Sequence, residues 1–298
     1  NERRAWPSLV LAAAAANAAF DALHGTPPIA ILLFCLGNAL HAVGSALLIQ
    51  RFISSRITLS TLKELGGLLF IGAIVGTAVG AAIGAAALVA TGVSKSFLSS
   101  FRVWWGSCAM AVLIFTPFVL SWFSREKSTL LKNTPRIVEA GLLAAGTAFI
   151  ILEARMHVEG VFTPYKLWII PPLLWAGLRF GVRGASAMVV TLAIVLSILT
   201  ARSLNVSDRD ISGPIESHVF MLQITLTISA LVGLIPAVVL RERDRITADL
   251  RLSRERFELA MRGSNDGYWD WNILSNYIYF SDRYRELLGY GAAEFAPT

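Results

Sequence analysis

"GAIVGTAVGAAIG", Gly72–Gly84, carries a glycine at every fourth position and no charge. That spacing lines one face of an α-helix. In lipid, small residues let two helix backbones approach closely, and packing drives their association. Gly72, Gly76, Gly80 and Gly84 are therefore predicted to form a helix–helix packing seam. The run lies inside Leu65–Ala90, which exceeds the roughly 20 apolar residues a membrane span needs.

Read outward from this segment, the chain yields seven more apolar runs. They are Trp6–Leu23, Ile29–Phe52, Val103–Phe123, Arg136–Leu152, Tyr165–Phe180, Val182–Ala201 and Val219–Leu240. The sixth span in chain order holds Pro171–Pro172, so it is predicted to kink or start late. Composition agrees with a membrane protein: 55% of the 298 residues are hydrophobic and 15% are charged, against about 25% charged in soluble domains. The net charge of +6 does not point to nucleic acid, because no basic stripe is interleaved with aromatics.

The basic residues follow the loops. If the polar tail after Leu240 is cytoplasmic, the inner side holds Arg3, Arg4, Arg51, Arg56, Lys63, Arg125, Lys127, Lys132, Arg136, Arg179, Arg183, Arg241, Arg243 and Arg245. The outer side holds Lys95, Arg102, Arg155, Lys166, Arg202 and Arg209. Positive residues favour the inner side by more than two to one, as the positive-inside rule requires. Both ends are predicted cytoplasmic. A rival reading makes "NERRAWPSLVLAAAAANAAF" a cleaved signal peptide; it leaves the parity unchanged. The chain lacks an initial Met and reads as part of a longer protein.

Polar residues inside spans normally face the bundle interior or a wet cavity. "CLGNALHAVGSALL" sets Asn38, His41 and Ser45 on one helix face. The bland reading is an interhelical hydrogen-bond cluster; the functional one is sensing or protonation. "FRVWWGSCAMAVLIFTP" carries Trp104, Trp105 and, one turn deeper, Ser107 and Cys108. An aromatic belt at the interface is the simplest account of the tryptophans. Asn38, His41, Trp104, Trp105 and Cys108 form the candidate sensing site. His41 with Cys108 also suggests a soft metal or haem pair, but two ligands are too few, so no metal site is assigned and the cofactor stays unknown. The two cysteines, Cys35 and Cys108, make no disulfide framework. Arg179 and Arg183, in "PPLLWAGLRFGVRG", are candidates for coupling or for head-group contact. No nucleotide loop, HExxH or nucleophile elbow is present, so no catalytic residue is named.

After Leu240 the chain turns hydrophilic. Val239, Ile246, Leu250, Phe257 and Ala260 fit a weak heptad, suited to pairing with a second copy in a homodimer. Gly267–Asn272 and Tyr277–Phe280 read as a hairpin joined by "ILSN". "SDRYRELLGY" reads as a helix with Ser281 as N-cap.

Two resemblances follow from these stretches. "WPSLVLAAAAANAAF", "LGNALHAVGSALLIQR", "WWGSCAMAVLIFTP" and "PPLLWAGLRFGVRGASA" occur in the order of the membrane-associated sensor domain of bacterial signalling proteins, the first MASE type, and resemble it over about residues 5–245. The chain departs from that pattern where the family usually has an acidic residue, here His41, and Gly-Asp, here Ser107–Cys108. The resemblance also implies that the family's opening helices would precede Asn1. "NDGYWDW" and "LGY" resemble the start of a PAS domain.

The resulting expectation is a mainly α protein. A bundle of about eight transmembrane helices (1–240) leads to a signalling helix (241–256) and a partial α+β PAS domain (257–298). The resemblances imply a multi-pass sensory input module in the bacterial inner membrane, with the PAS part cytoplasmic. Its output would be a histidine kinase or a cyclic-di-GMP cyclase or phosphodiesterase outside this chain. Its signal, an unknown small molecule or a membrane protein, is left open. The alternative is a transporter or channel with a regulatory tail, which the near absence of charge within the spans disfavours.

Overall fold

The computed structural model describes residues 2–123, 134–156, 168–206 and 215–290. They form two units, Asn1–Glu242 and Arg243–Thr298. Seven helices are long and apolar enough to cross a membrane. They are α1 (Trp6–Leu23), α2 (Pro28–Phe52), α3 (Leu62–Ala90), α4 (Phe97–Trp122), α5 (Thr134–Met156), α6 (Ile170–Val206) and α7 (Ile215–Ser264). A polytopic helical bundle is therefore the fold.

The count is seven rather than eight because the expected sixth and seventh spans belong to one broken helix. Gly181 leaves helical geometry at φ 63° and ψ −156°, a conformation open to glycine at little cost. The chain folds back there. A Cβ on Gly184 would lie 2.8 Å from the Ala176 carbonyl, and Leu173 and Ala185 both border Gly233 of α7. In a straight helix Leu173 and Ala185 would stand about 18 Å apart. Residues 170–180 rise only about 16 Å, half of a hydrocarbon core of about 30 Å. Pro171 and Pro172 sit in the first turn, where their missing N–H groups cost nothing, so this arm starts late as its prolines predict. The beginning of the expected span, Tyr165, lies outside the described residues.

The principal core joins α3, α4, α6 and α7 through Leu65, Ile114, Leu173, Leu192, Leu226 and Leu234, all buried. Buried alanines at 176, 185, 230 and 237 bring α6 and α7 close. A second, smaller cluster holds Ala30 and Phe34 of α2 against Ala87 of α3. Large apolar side chains such as Leu9, Leu32, Phe70, Phe115 and Ile194 remain exposed. In a bundle solvated by lipid they meet acyl chains rather than water.

In the second unit, β1 (Trp269–Asn272) pairs antiparallel with β2 (Tyr277–Phe280), Trp269 opposite Phe280 and Asn272 opposite Tyr277. Asn272 Oδ1 accepts from the Leu274 and Ser275 amides and shapes the turn. The helix α8 (Asp282–Leu287) starts at Ser281, whose Oγ accepts from the Tyr284 amide. The same Oγ accepts from the Tyr268 amide at 3.0 Å, and the Ser281 amide donates to the Tyr268 carbonyl at 2.9 Å. The glycine of "NDGYWDW" is needed for this docking: a Cβ on Gly267 would lie 2.6 Å from the Tyr284 backbone nitrogen.

A Cβ on Gly177 of α6 would sit 2.6 Å from the Gly233 carbonyl of α7. Backbone cannot yield as a side chain does, so Gly177→Ala is expected to cost about 1–3 kcal/mol by overpacking. Gly141→Ala, in open space, is the neutral control. Thermal unfolding of both variants in nanodiscs checks this; an unchanged midpoint for Gly177→Ala would refute the close α6–α7 crossing.

Candidate functional site

The glycine-rich helix α3 is not α-helical throughout. Leu68–Gly76 forms a π-helix, whose wider turn bonds each N–H one residue further back. Its carbonyls are met by side chains. The Trp105 indole of α4 donates to the Ile74 carbonyl at 3.0 Å. Ser45 of α2 donates to the Ile71 carbonyl at a long 3.5 Å. Thr77 donates to the Ala73 carbonyl, and more weakly to that of Ile74 at 3.3 Å. The His41 imidazole is within hydrogen-bonding reach of the Gly72 backbone. These bonds add to the helix's own backbone ladder, at a depth where lipid supplies no partner.

The glycines of α3 lie against two neighbours. Gly76 and Gly80 lie against Ser45, His41 and Gly37 of α2; a Cβ on Gly80 would approach the Gly37 carbonyl to 3.1 Å. Gly72 and Gly84 face α4, with Val112 beside Gly72 and the Trp104 ring over Gly84. The four-residue spacing on a helix that changes pitch turns successive glycines from one neighbour to the next.

An interfacial belt would assign both tryptophans the same place. The structure gives them different ones. Trp105 bonds the π-helix, whereas Trp104 meets Phe34 edge-on at 4.6 Å and lies within hydrogen-bonding reach of the Cys108 thiol. Asn38 is half-buried on α2 and makes no side-chain hydrogen bond among the described residues. His41 and Cys108 have separate neighbours, so the structure does not assemble them as a ligand pair. Among the described residues no group of three or more His, Cys, Asp or Glu is placed to hold a metal ion.

Trp104 and Cys108 instead open on a cleft of about 570 Å³. Ser94, Ser99, Ser100 and Ser107 supply hydroxyls to its wall, and Leu88, Val103 and Val219 supply apolar surface. One turn along α7 from Val219 stands Gln223, buried, which the sequence reading did not single out. Its Nε2 donates to Ser107 Oγ at 2.7 Å and to the Val103 carbonyl at 3.4 Å. Its Oε1 lies against Gly106, where a Cβ would meet it at 2.5 Å. The available signal was the lone amide of the final span, opposite a glycine in "WWGS".

A family model described as MASE1 matches residues 2–244. The chain belongs to the MASE1 family. MASE1 is a membrane-associated sensor domain of signalling receptors. No curated protein and no solved structure matches the chain. The MASE1 match ends two residues beyond the first structural unit.

At the other end of the MASE1 domain the two coupling candidates have distinct partners. Arg183 Nε donates to the Ser121 carbonyl of α4 at 2.7 Å, and the Trp122 indole donates to the Arg183 carbonyl at 3.3 Å. Ser121 and Ser186 hydroxyls meet at 3.1 Å. Arg179 forms a fork on Glu139 of α5, at 2.6 and 2.8 Å. The Arg183 contacts tie the Gly181 turn to α4 and the Arg179 fork ties it to α5. Two carboxylates that the sequence reading passed over complete this end. Glu64 is buried and accepts from the Thr58 and Ser60 amides at 3.1 and 3.0 Å. Glu242, on α7, accepts from the Leu62 amide at 2.9 Å and so caps α3, whose N-terminal amides favour an anion. Arg241 Nη1 reaches the Thr58 carbonyl at 3.5 Å.

Trp105→Phe keeps the ring but removes the bond to Ile74. It is expected to cost about 1–2 kcal/mol, at the upper end for an interhelical bond in a membrane. Unfolding in nanodiscs by sodium dodecyl sulfate measures it. No loss would mean that the π-helix carbonyl does not depend on α4.

Proposed function

We propose that this MASE1 domain is the transmembrane input module of a bacterial receptor, and that α7 carries its signal out of the bundle. One observation carries this reading: α7 combines a polar contact at the cleft end, Gln223 to Ser107, with a clamp at the opposite end, Glu242 to Leu62, and leads out of the bundle. The same helix continues in sequence to Ser264. A change at the cleft alters what α7 bonds, and a shift of α7 strains the Glu242 clamp. A signal acts only by stabilising the two arrangements unequally.

In this reading the end bearing Arg183 and Glu242 faces the cytoplasm, and the protein sits in the inner membrane. Ile246, Leu250 and Phe257 are exposed on the polar part of α7. They form the seam on which a second copy pairs, so the receptor is a homodimer. Ion pairs Arg251–Glu255 and Arg254–Glu258 flank the stripe at i,i+4 spacing, a charge pattern that keeps such a helix soluble. The hairpin and α8 are the opening of a PAS domain. The output, a histidine kinase or a cyclic-di-GMP enzyme, follows further along the receptor.

The test uses a Cys35→Ala, Cys108→Ala chain with a nitroxide on Leu250→Cys, in nanodiscs. Dipolar spectroscopy should give an inter-chain distance of about 10–20 Å, set by an interaxial spacing of about 10 Å plus the label arms. Gln223→Leu and Glu242→Ala should each shift that distribution. Background decay alone would sink the dimer. A distribution that neither change moves would sink the assignment of α7 as transmitter.

A further inference from the structure

We propose that the cleft at Trp104 and Ser107 is a binding site for an uncharged ring compound that donates hydrogen bonds through hydroxyl groups. The inference deepens the sensory reading above and rests on it.

The size fits. A cleft of about 570 Å³ falls within the range of about 300–1,000 Å³ that holds small molecules. The charge is decided by the lining, which among the described residues contains no ionised side chain: it is serine, tryptophan, cysteine and aliphatic surface. Lys95 and Arg102, the nearest cations in sequence, are exposed and do not line it. An ion bound there would lose water without gaining a counter-charge, which costs several kcal/mol. The ring is called for by Trp104, whose indole forms part of the wall beside Val103, Leu88 and Val219.

The direction of hydrogen bonding follows from the hydroxyl protons. A serine hydroxyl has one proton to give and two lone pairs to receive. Ser107 gives its proton to the Val103 carbonyl at 2.8 Å and receives one from Gln223. It retains one lone pair. Ser100 gives its proton to Ser94 at 2.8 Å, and its own oxygen still receives. Both hydroxyls therefore present acceptors to the cleft. A ligand that carries donors completes them; an ether of the same shape does not. A donor bound on the remaining lone pair of Ser107 shares its oxygen with Gln223, which connects occupancy to α7.

Cys108 lines the cleft and serves as the reporter. In the Cys35→Ala chain in nanodiscs, the rate of alkylation by N-ethylmaleimide is measured with four probes. Resorcinol is the neutral ring donor. 1,3-Dimethoxybenzene is its donor-free ether, and 3,5-dihydroxybenzoate its anion. 5-Pentadecylresorcinol presents the same head from the bilayer. Resorcinol is expected to slow alkylation several-fold, with the ether and the anion ineffective. Protection by the pentadecyl compound alone would assign the site to a lipid-borne ligand and equally support the proposal. Ser100→Ala and, separately, Ser107→Ala should each raise the half-protecting concentration by up to about tenfold, the worth of one hydrogen bond. A filled cleft, Val103→Phe, should abolish protection.

The proposal is overturned if neither donor protects, if the ether or the anion protects as well as resorcinol, or if the thiol never reacts. Protection without any change at a Leu250→Cys label would keep the site and sink the sensory reading. A label shifted by Gln223→Leu with no protection would do the reverse.

Discussion

Four consecutive carbonyls of α3, from Ile71 to Ile74, lie in a π-helical turn with side chains set against them. In water such groups would find partners anywhere. At membrane depth each one left bare costs several kcal/mol. Ser45 and His41 reach them from α2, Trp105 from α4, and Thr77 from α3 itself. These contacts are directional, and α3 cannot turn or slide without breaking several at once. Gly37, Gly76 and Gly80 make them possible by bringing the α2 and α3 backbones close together. Helices α2, α3 and α4 are thus held as one block by polar contacts that lipid cannot replace.

The packing of α7 differs in kind. Its buried surface is Leu226, Ala230, Leu234, Ala237 and Val238, and apolar burial is non-directional. Against α6 it meets small residues, with Gly177 and Gly233 backbone to backbone. Its directional ties to α3 and α4 lie far apart, at Gln223 near the cleft and at Glu242 and Arg241 near the opposite end. About 19 residues, or roughly 28 Å of helix, separate Gln223 from Glu242. A helix held at two distant points by few polar bonds, and interrupted by Pro236 between them, gives way when one is exchanged. The block beside it does not. That contrast is what a transmembrane relay requires, since coupling needs an element with two arrangements.

Much of this was legible in the sequence because lipid imposes strong rules. Span length placed the helices within a few residues, and the glycine spacing marked the α3 seam. The hairpin at Trp269–Phe280 and the Ser281 cap were readable because turn and capping chemistry is local. What escaped has a common physical reason. The turn at Gly181 was readable between two apolar runs, but the first arm, residues 170–180, rises too little to span, so the count is seven and not eight. The π-helix leaves no compositional mark. Gln223, Glu64, Glu139 and Glu242 gain their meaning from partners distant in the chain, as in Leu62 with Glu242, and spacing along one helix cannot show that. Of the candidate site, Trp104 and Cys108 fall together on the cleft, while His41 and Trp105 serve the α3 backbone.

His41 acquires a reason from the same carbonyls. It faces the π-helix beside Gly76 and Gly80. The groups that meet that turn are donors: two hydroxyls, an indole N–H and the imidazole. An ionised carboxylate carries no proton to give. Set against carbonyl oxygens it repels them, and it needs a bound proton or a cation to bridge the gap. Imidazole brings its own N–H, which can be given to a carbonyl. An imidazole at this position therefore needs no ion to stand beside the carbonyls.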